Sequence, residues 1–155
     1  MAVDALDLEL AAGVSVDLRD AQALAHRILL VDIAPSDADM TVAAIDVLSS
    51  ELLPDWYEDW AVIKAEDWRQ LRLHALEALA LKLMDSKRFA DAIQAARATI
   101  EADPLRESAR AVLIRIHLAE GNQSEALAEF AGFRALLLNE LGVEPTPALR
   151  ALLQA

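Results

Sequence analysis

Apolar residues recur along most of this chain at spacings of three and four, the period of one buried stripe on an α-helix. After Asp17, whose carboxylate can cap a helix start, Leu18, Ala21, Leu24, Ala25, Ile28 and Leu29 set that pattern and predict a first helix to about Val31. Asp32 to Asp39, with Pro35, reads as a loop. Thr41 to Leu53 reads as a second helix with Val42, Ile45 and Leu48 inward, ended by Pro54, because the residue before a proline is pushed out of the α region. Asp55 or Asp59 caps a third, long helix that holds no proline or glycine and runs to about Met84. Trp56, Trp60 and Ile63 line up at its start, and Leu71, Leu79 and Leu83 continue an apolar face. Further helices follow at about 88–102, 105–120, 123–140 and 147–154. The short loops between them suit antiparallel neighbours.

Residues 5–16 break this period. Leu6, Leu8 and Leu10 alternate with Asp7 and Glu9, Ala11-Ala12-Gly13 can turn, and Val14 and Val16 alternate again. Period two predicts a strand or short hairpin. A lone hairpin is marginal in water, so it is either the edge of something absent or packs on the helices. At the other end, Glu140 to Pro147 reads as stop, turn and restart: Gly142 supplies a left-handed helix end, and Thr146 caps a last helix with Pro147 in first position.

Two segments repeat at a spacing of 34 residues. Leu79 matches Leu113, Lys87 matches Gly121 at the turn inside each helix pair, Asp91-Ala92 matches Glu125-Ala126, and Ala96 matches Phe130. This resembles the tetratricopeptide repeat, a helical hairpin of that period in which a small residue lets two helices approach. The match departs where Leu76 and Ala80 stand in place of the early tryptophan and glycine, and where Phe133 replaces a second small residue. Helices on both sides must then cap the stack. The plainer alternative is an ordinary helical bundle with a coincident spacing.

Composition narrows the class. The 155 residues hold no cysteine, which removes disulfides, thiolate metal sites and cysteine nucleophiles and fits a reducing compartment. No apolar run approaches the ~18 residues of a membrane span and no basic-then-apolar leader opens the chain, so a soluble, cytoplasmic protein is expected. The net charge of −12 opposes direct binding to DNA or to an anionic membrane. His26, His74 and His117 fall on three different predicted helices without metal-ligand spacing, and no phosphate loop, dinucleotide fingerprint or nucleophile elbow is present. No catalytic, metal or cofactor residue is therefore assigned, and no cofactor is expected. Arg106, Arg110 and Arg115, with Glu107 and Glu120, read as ion pairs; the alternative is that Leu105-Arg106-Glu107, after Asp103-Pro104, fixes the junction between the repeats.

Trp56, Tyr57, Trp60 and Trp68 form the most informative local cluster, amid Asp55, Glu58, Asp59, Glu66 and Asp67. One reading makes them core, because aromatics carry large buried areas. The other makes them the candidate partner-binding residues, an acidic and aromatic surface suited to a basic partner helix. Full burial of Trp56 and Trp60 would exclude it.

Four segments carry a more specific resemblance: Glu51-Leu52-Leu53-Pro54-Asp55-Trp56-Tyr57-Glu58-Asp59-Trp60, Leu71-Arg72-Leu73-His74-Ala75-Leu76-Glu77, Asp103-Pro104-Leu105-Arg106-Glu107-Ser108-Ala109, and Glu140-Leu141-Gly142-Val143-Glu144-Pro145-Thr146-Pro147-Ala148-Leu149-Arg150. In this order they resemble the bacterial transcriptional activator domain of the actinobacterial antibiotic regulatory protein family. The resemblance covers residues 14–153 and implies a role in transcriptional control through dimerisation, contact with transcription machinery or response to a signal. In that family the domain follows a winged-helix DNA reader of about a hundred residues, for which residues 5–16 resemble the closing stub. The reader itself is not in this sequence, so no residue here inherits DNA binding, and the chain is either a fragment of a larger regulator or a stand-alone version. Ala128 to Phe133 departs from a stretch usually richer in Arg and Tyr, and Gly132 there costs a helix interior about 1 kcal/mol.

The expectation is an all-α fold of about seven helices in a tetratricopeptide-like, right-handed stack, with residues 1–16 a linker or hairpin stub and 17–155 the domain. Its function is that of a regulatory, protein-interaction domain of a transcriptional activator, with a protein partner or a second copy bound and no catalysis. The alternative is a tetratricopeptide adaptor outside transcription. A small-molecule sensor would need an enclosed apolar pocket.

Overall fold

The computed structural model describes residues 17–30, 36–52 and 58–154. Within them seven α-helices follow in order: α1 (Asp17–Leu29), α2 (Val42–Ser49), α3 (Asp59–Asp85), α4 (Phe89–Ala102), α5 (Glu107–Glu120), α6 (Gln123–Leu141) and α7 (Pro147–Ala151), the last continued by a 3₁₀ turn, Leu152–Gln154. The fold is all-α, a tetratricopeptide-like stack of the pairs α1/α2, α3/α4 and α5/α6. The hairpin expected over residues 5–16 lies outside the described residues, as do Pro54 and Asp55.

Several boundaries follow from local chemistry. Thr41 caps α2 by accepting from the Ala44 N–H at 3.2 Å, and Thr146 caps α7 by accepting from Leu149 N–H at 3.3 Å, with Pro147 in the first turn. Gly142 ends α6 in the left-handed region at φ 67°. Three expectations are corrected. Asp59 lies inside the first turn of α3 and is not its cap; Glu58 occupies the cap position without a side-chain bond there. α2 ends at Ser49, short of Leu53. The Ser49 and Ser50 hydroxyls turn back to the carbonyls of Ile45 (2.7 Å) and Asp46 (3.2 Å), and Ser50 is extended. Val42 points outward, and Ala44, Ile45 and Leu48 make the buried stripe instead, because a strict spacing of three drifts off one face of a 3.6-residue helix.

The repeat is visible in the backbone. The second half of α3 with α4, and α5 with α6, turn by the same bonds moved along by 34 residues. Arg88 N–H donates to Leu83 O at 2.9 Å and Asn122 N–H to His117 O at 2.8 Å; Lys87 N–H donates to Met84 O at 2.9 Å and Gly121 N–H to Leu118 O at 3.1 Å. Both turns have the bond pattern of a Schellman helix end. They need a left-handed residue, which is Gly121 (φ 90°) in one and Lys87 (φ 61°) in the other. Leu79 and Leu113 are buried, and so are Ala92 and Ala126, where the paired helices approach.

The core divides in two. The larger cluster joins α1 to α4 with Val112, Leu113 and Ile116 of α5. The smaller holds Ile114, Ala126, Phe133, Leu137 and Leu149. A chain of polar contacts runs alongside. Glu51 stands 3.8 Å from Arg72, Glu77 accepts from Arg106 Nε and from Ser108 Oγ at 2.7 Å each, and Glu107 accepts from the Thr146 N–H at 3.1 Å and from its hydroxyl. Arg69 reaches Asp103 at 3.2 Å, and Arg110 pairs with Glu129 at 2.8 Å while lying over the Phe133 ring. Arg106 thus clasps the junction between the repeats.

Two outcomes follow for urea unfolding. Lys87→Gly is expected to raise stability by roughly 0.5–1 kcal/mol by relieving the left-handed lysine, and Gly121→Ala to lower it by about 1 kcal/mol, since its Cβ would meet open space and only backbone strain remains. Arg106→Glu sets two carboxylates together where both partners are mostly buried, and is expected to cost about 2–3 kcal/mol. An unchanged midpoint in Arg106→Glu would remove its role at the junction.

Candidate protein-binding groove

α1 and α2 rest on α3 through hydrogen bonds that α3 donates to their C-terminal ends. The Trp68 indole Nε1–H donates to Ser50 O at 2.9 Å, Arg72 Nη1 to Ser49 O at 3.3 Å, and Lys82 Nζ to Ile28 O at 2.6 Å and Leu30 O at 3.1 Å. Arg72 is buried, and burial lowers its pKa from the ordinary value. A further clamp joins α1 to the segment before α2: Arg27 pairs with Asp39 at 2.8 Å, and Ser36 Oγ donates to the same carboxylate at 2.9 Å. Asp39 is held below the usual carboxylate range, first by the Arg27 hydrogen bond, against the opposing effect of burial. Arg27 is raised by the same bond.

These contacts leave an open groove of about 520 Å³ between α1 and α2. Leu18, Leu24, Val47 and Leu52 supply apolar wall, and Trp68 also lines it. Ala43 and Val47, one turn apart on the exposed side of α2, keep the wall low. Asp17, Asp20, Asp39 and Glu51 also line it, and the one cation among its lining residues, Arg27, is engaged by Asp39. The surface is therefore apolar within and acidic at its border.

The aromatic cluster separates. Trp60 is 56% exposed at the start of α3, beside Ile63 at 61%, while Ala61 is the buried residue of that turn. Trp68 is 3% exposed: it faces the core and supports the groove, so it offers no broad surface of its own. Trp56 and Tyr57 lie outside the described residues. The acids around Trp60 are partly engaged: Glu66 pairs with Arg69 at 2.8 Å and accepts from Gln70, which lowers its pKa to about 2, and Asp67 stands 3.6 Å from Lys64.

The groove was not assembled from the sequence. Its residues come from α1, α2, α3 and the segments on either side of α2, and the inward stripe read for α2 names neither Ala43 nor Val47. The traceable signal was an apolar Val47 outside the buried stripe of α2. Elsewhere, His26 and His74 are exposed on α1 and α3, His74 Nδ1 lying 2.8 Å from Gln70 O, while His117 is buried in α5. Among the described residues no group of three or more His, Asp or Glu gathers to hold a metal, and no helix is long and apolar enough to cross a membrane.

Comparison with known proteins adds a family. The family described as "Bacterial transcriptional activator domain" matches residues 16–155. Two curated relatives, each called "Regulatory protein AfsR", are similar as well. The one from Streptomyces coelicolor is 35% identical over 119 residues, covering 75% of this chain and 12% of that protein. The one from Streptomyces griseus is 32% identical over 150 residues, covering 97% of this chain and 15% of that protein. The chain thus spans a small fraction of the length of the curated relatives it matches.

The Arg27–Asp39 clamp gives a pH test. A carboxylate whose folded pKa is depressed contributes stability that is present above its unfolded value, 3.8, and lost as pH falls through the folded one. Arg27→Gln is expected to cost about 1 kcal/mol at neutral pH, a modest figure because Arg27 is half exposed, and the two proteins should converge in acid. A difference that persists with Asp39 protonated would point to packing instead of the ion pair.

Proposed function

The chain belongs to the bacterial transcriptional activator domain family, and on that premise we propose that it is the regulatory, protein-binding part of a bacterial transcriptional activator, working by contact. The observation that carries the contact mechanism is the groove between α1 and α2: apolar inside, acidic at the border, and open enough for a protein segment. Trp60, exposed on α3, is a second contact point, with Trp68 supporting the groove wall from the core. The net charge of −12 supports a domain that leaves DNA reading to another part of the regulator. The family also supports regulation over catalysis, and over an adaptor role outside transcription.

A second reading, self-association, has one observation in its favour. Leu127, Leu138 and Leu141 of α6 are 50%, 40% and 57% exposed. The shared negative charge of two copies opposes it.

Fusion of the chain to an unrelated DNA-binding domain, with a reporter behind that domain's operator, tests the main reading. Activation is expected, and Ala43→Trp, which fills the groove, is expected to cut it about tenfold at equal protein level. An inert fusion, or sequence-specific DNA binding by the isolated chain in a mobility-shift assay, would overturn the proposal.

A further inference from the structure

From the groove's shape and charge we infer that its occupant is a basic amphipathic helix of a different protein, an assignment that rests on the contact reading above and adds the chemistry of the partner. Three features of the groove lead there.

The first is the absence of backbone partners. One way of docking an extended segment pairs its N–H and C=O groups with a strand edge, and the described residues contain no strand. The Ser50 carbonyl, beside the groove, already accepts from Trp68. A helix, whose backbone bonds are satisfied internally, docks in an apolar trench without such partners. Leu18, Leu24, Val47 and Leu52 then meet its apolar stripe.

The second is charge. Four carboxylates and one guanidinium line the groove, and the guanidinium is bound to one of the four. Asp17, Asp20 and Glu51 are exposed at its border, and of these Glu51 also stands 3.8 Å from the buried Arg72 guanidinium. Asp17 and Asp20 also suit the N-terminal end of α1, but Glu51 follows the end of α2 and has no such role. Lys and Arg on the polar face of a docked helix meet this border, and they speed association through the field of the whole domain.

The third is what the same field rejects. A second copy brings another net charge of −12. Nucleic acid brings phosphates to a carboxylate border. A small molecule would be poorly enclosed in a trench open along one side.

The test measures fluorescence anisotropy of the full chain with three synthetic amphipathic peptides of about 18 residues, which share one Leu stripe and carry Lys, Gln or Glu on the polar face. The Lys peptide is expected to bind at least about tenfold more tightly than the Gln peptide, and the Glu peptide not at all. Ala43→Trp is expected to weaken the Lys peptide about tenfold. Asp20→Asn with Glu51→Gln should remove most of its advantage over Gln, and Glu125→Gln, in the first turn of α6, should not. Each variant is compared by its thermal melt, which also reads any loss of the Glu51–Arg72 contact; all four positions are exposed. Equal binding of Lys and Gln peptides, both blocked by Ala43→Trp, would overturn the basic partner and leave the groove reading standing. Lys-peptide binding indifferent to Ala43→Trp would be diffuse attraction and would overturn both.

Discussion

The last carbonyl groups of a helix find no partners within it, and a short helix has few residues over which to absorb that cost. In this domain α1 and α2 are completed by α3. Trp68, Arg72 and Lys82 reach across from one long helix to the terminal carbonyls of two others. Those bonds fix the height and tilt of α1 and α2 on α3, and so set the width of the groove between them. The arrangement carries a penalty in the burial of the Arg72 guanidinium, offset in part by the carbonyl it holds and by Glu51.

The same logic explains why the four segments that resemble the activator family stand so far apart in the chain. They are one another's partners. Glu51 of the first faces Arg72 of the second, Glu77 of the second takes Arg106 and Ser108 of the third, and Glu107 of the third takes Thr146 of the fourth. The links run from the end of α2 to α3, from α3 to the start of α5, and from α5 to the start of α7. Polar side chains here set the register of helices whose apolar faces, rich in Ala and Leu, could slide with little change in buried area.

Much of the fold was legible in the sequence because its signals are local. Gly142, Thr146 and Pro147 act within a turn of themselves, and the matching of Lys87 with Gly121 foretold two turns that share one backbone shape. What was missed depends on distant groups. α2 stops at Ser49, where donors from α3 take the carbonyls, and nothing near Ser49 in the chain announces them. Trp60 and Trp68 share a helix, yet one is exposed and the other buried, because Trp60 lies about 80° around α3 from Trp68, whose face the buried Ala61 shares. The groove was illegible for a related reason. It is a gap between elements, and the Arg27–Asp39 clamp that holds it joins residues twelve apart, a pairing the hydrophobic pattern does not encode.

The split core bears on how the domain breathes. α5 contributes Val112, Leu113 and Ile116 to the large cluster and Ile114 to the small one, so it is the wall between them. The small cluster unites five described residues against eighteen in the large one. In a stack where each element touches mainly its neighbours, such an imbalance makes two cooperative units of unequal strength. The unit of α6 and α7 is then expected to open before that of α3 and α4, with earlier exchange of its amides. Mechanical or thermal loosening at the C-terminal end is thereby insulated from the other end of the molecule.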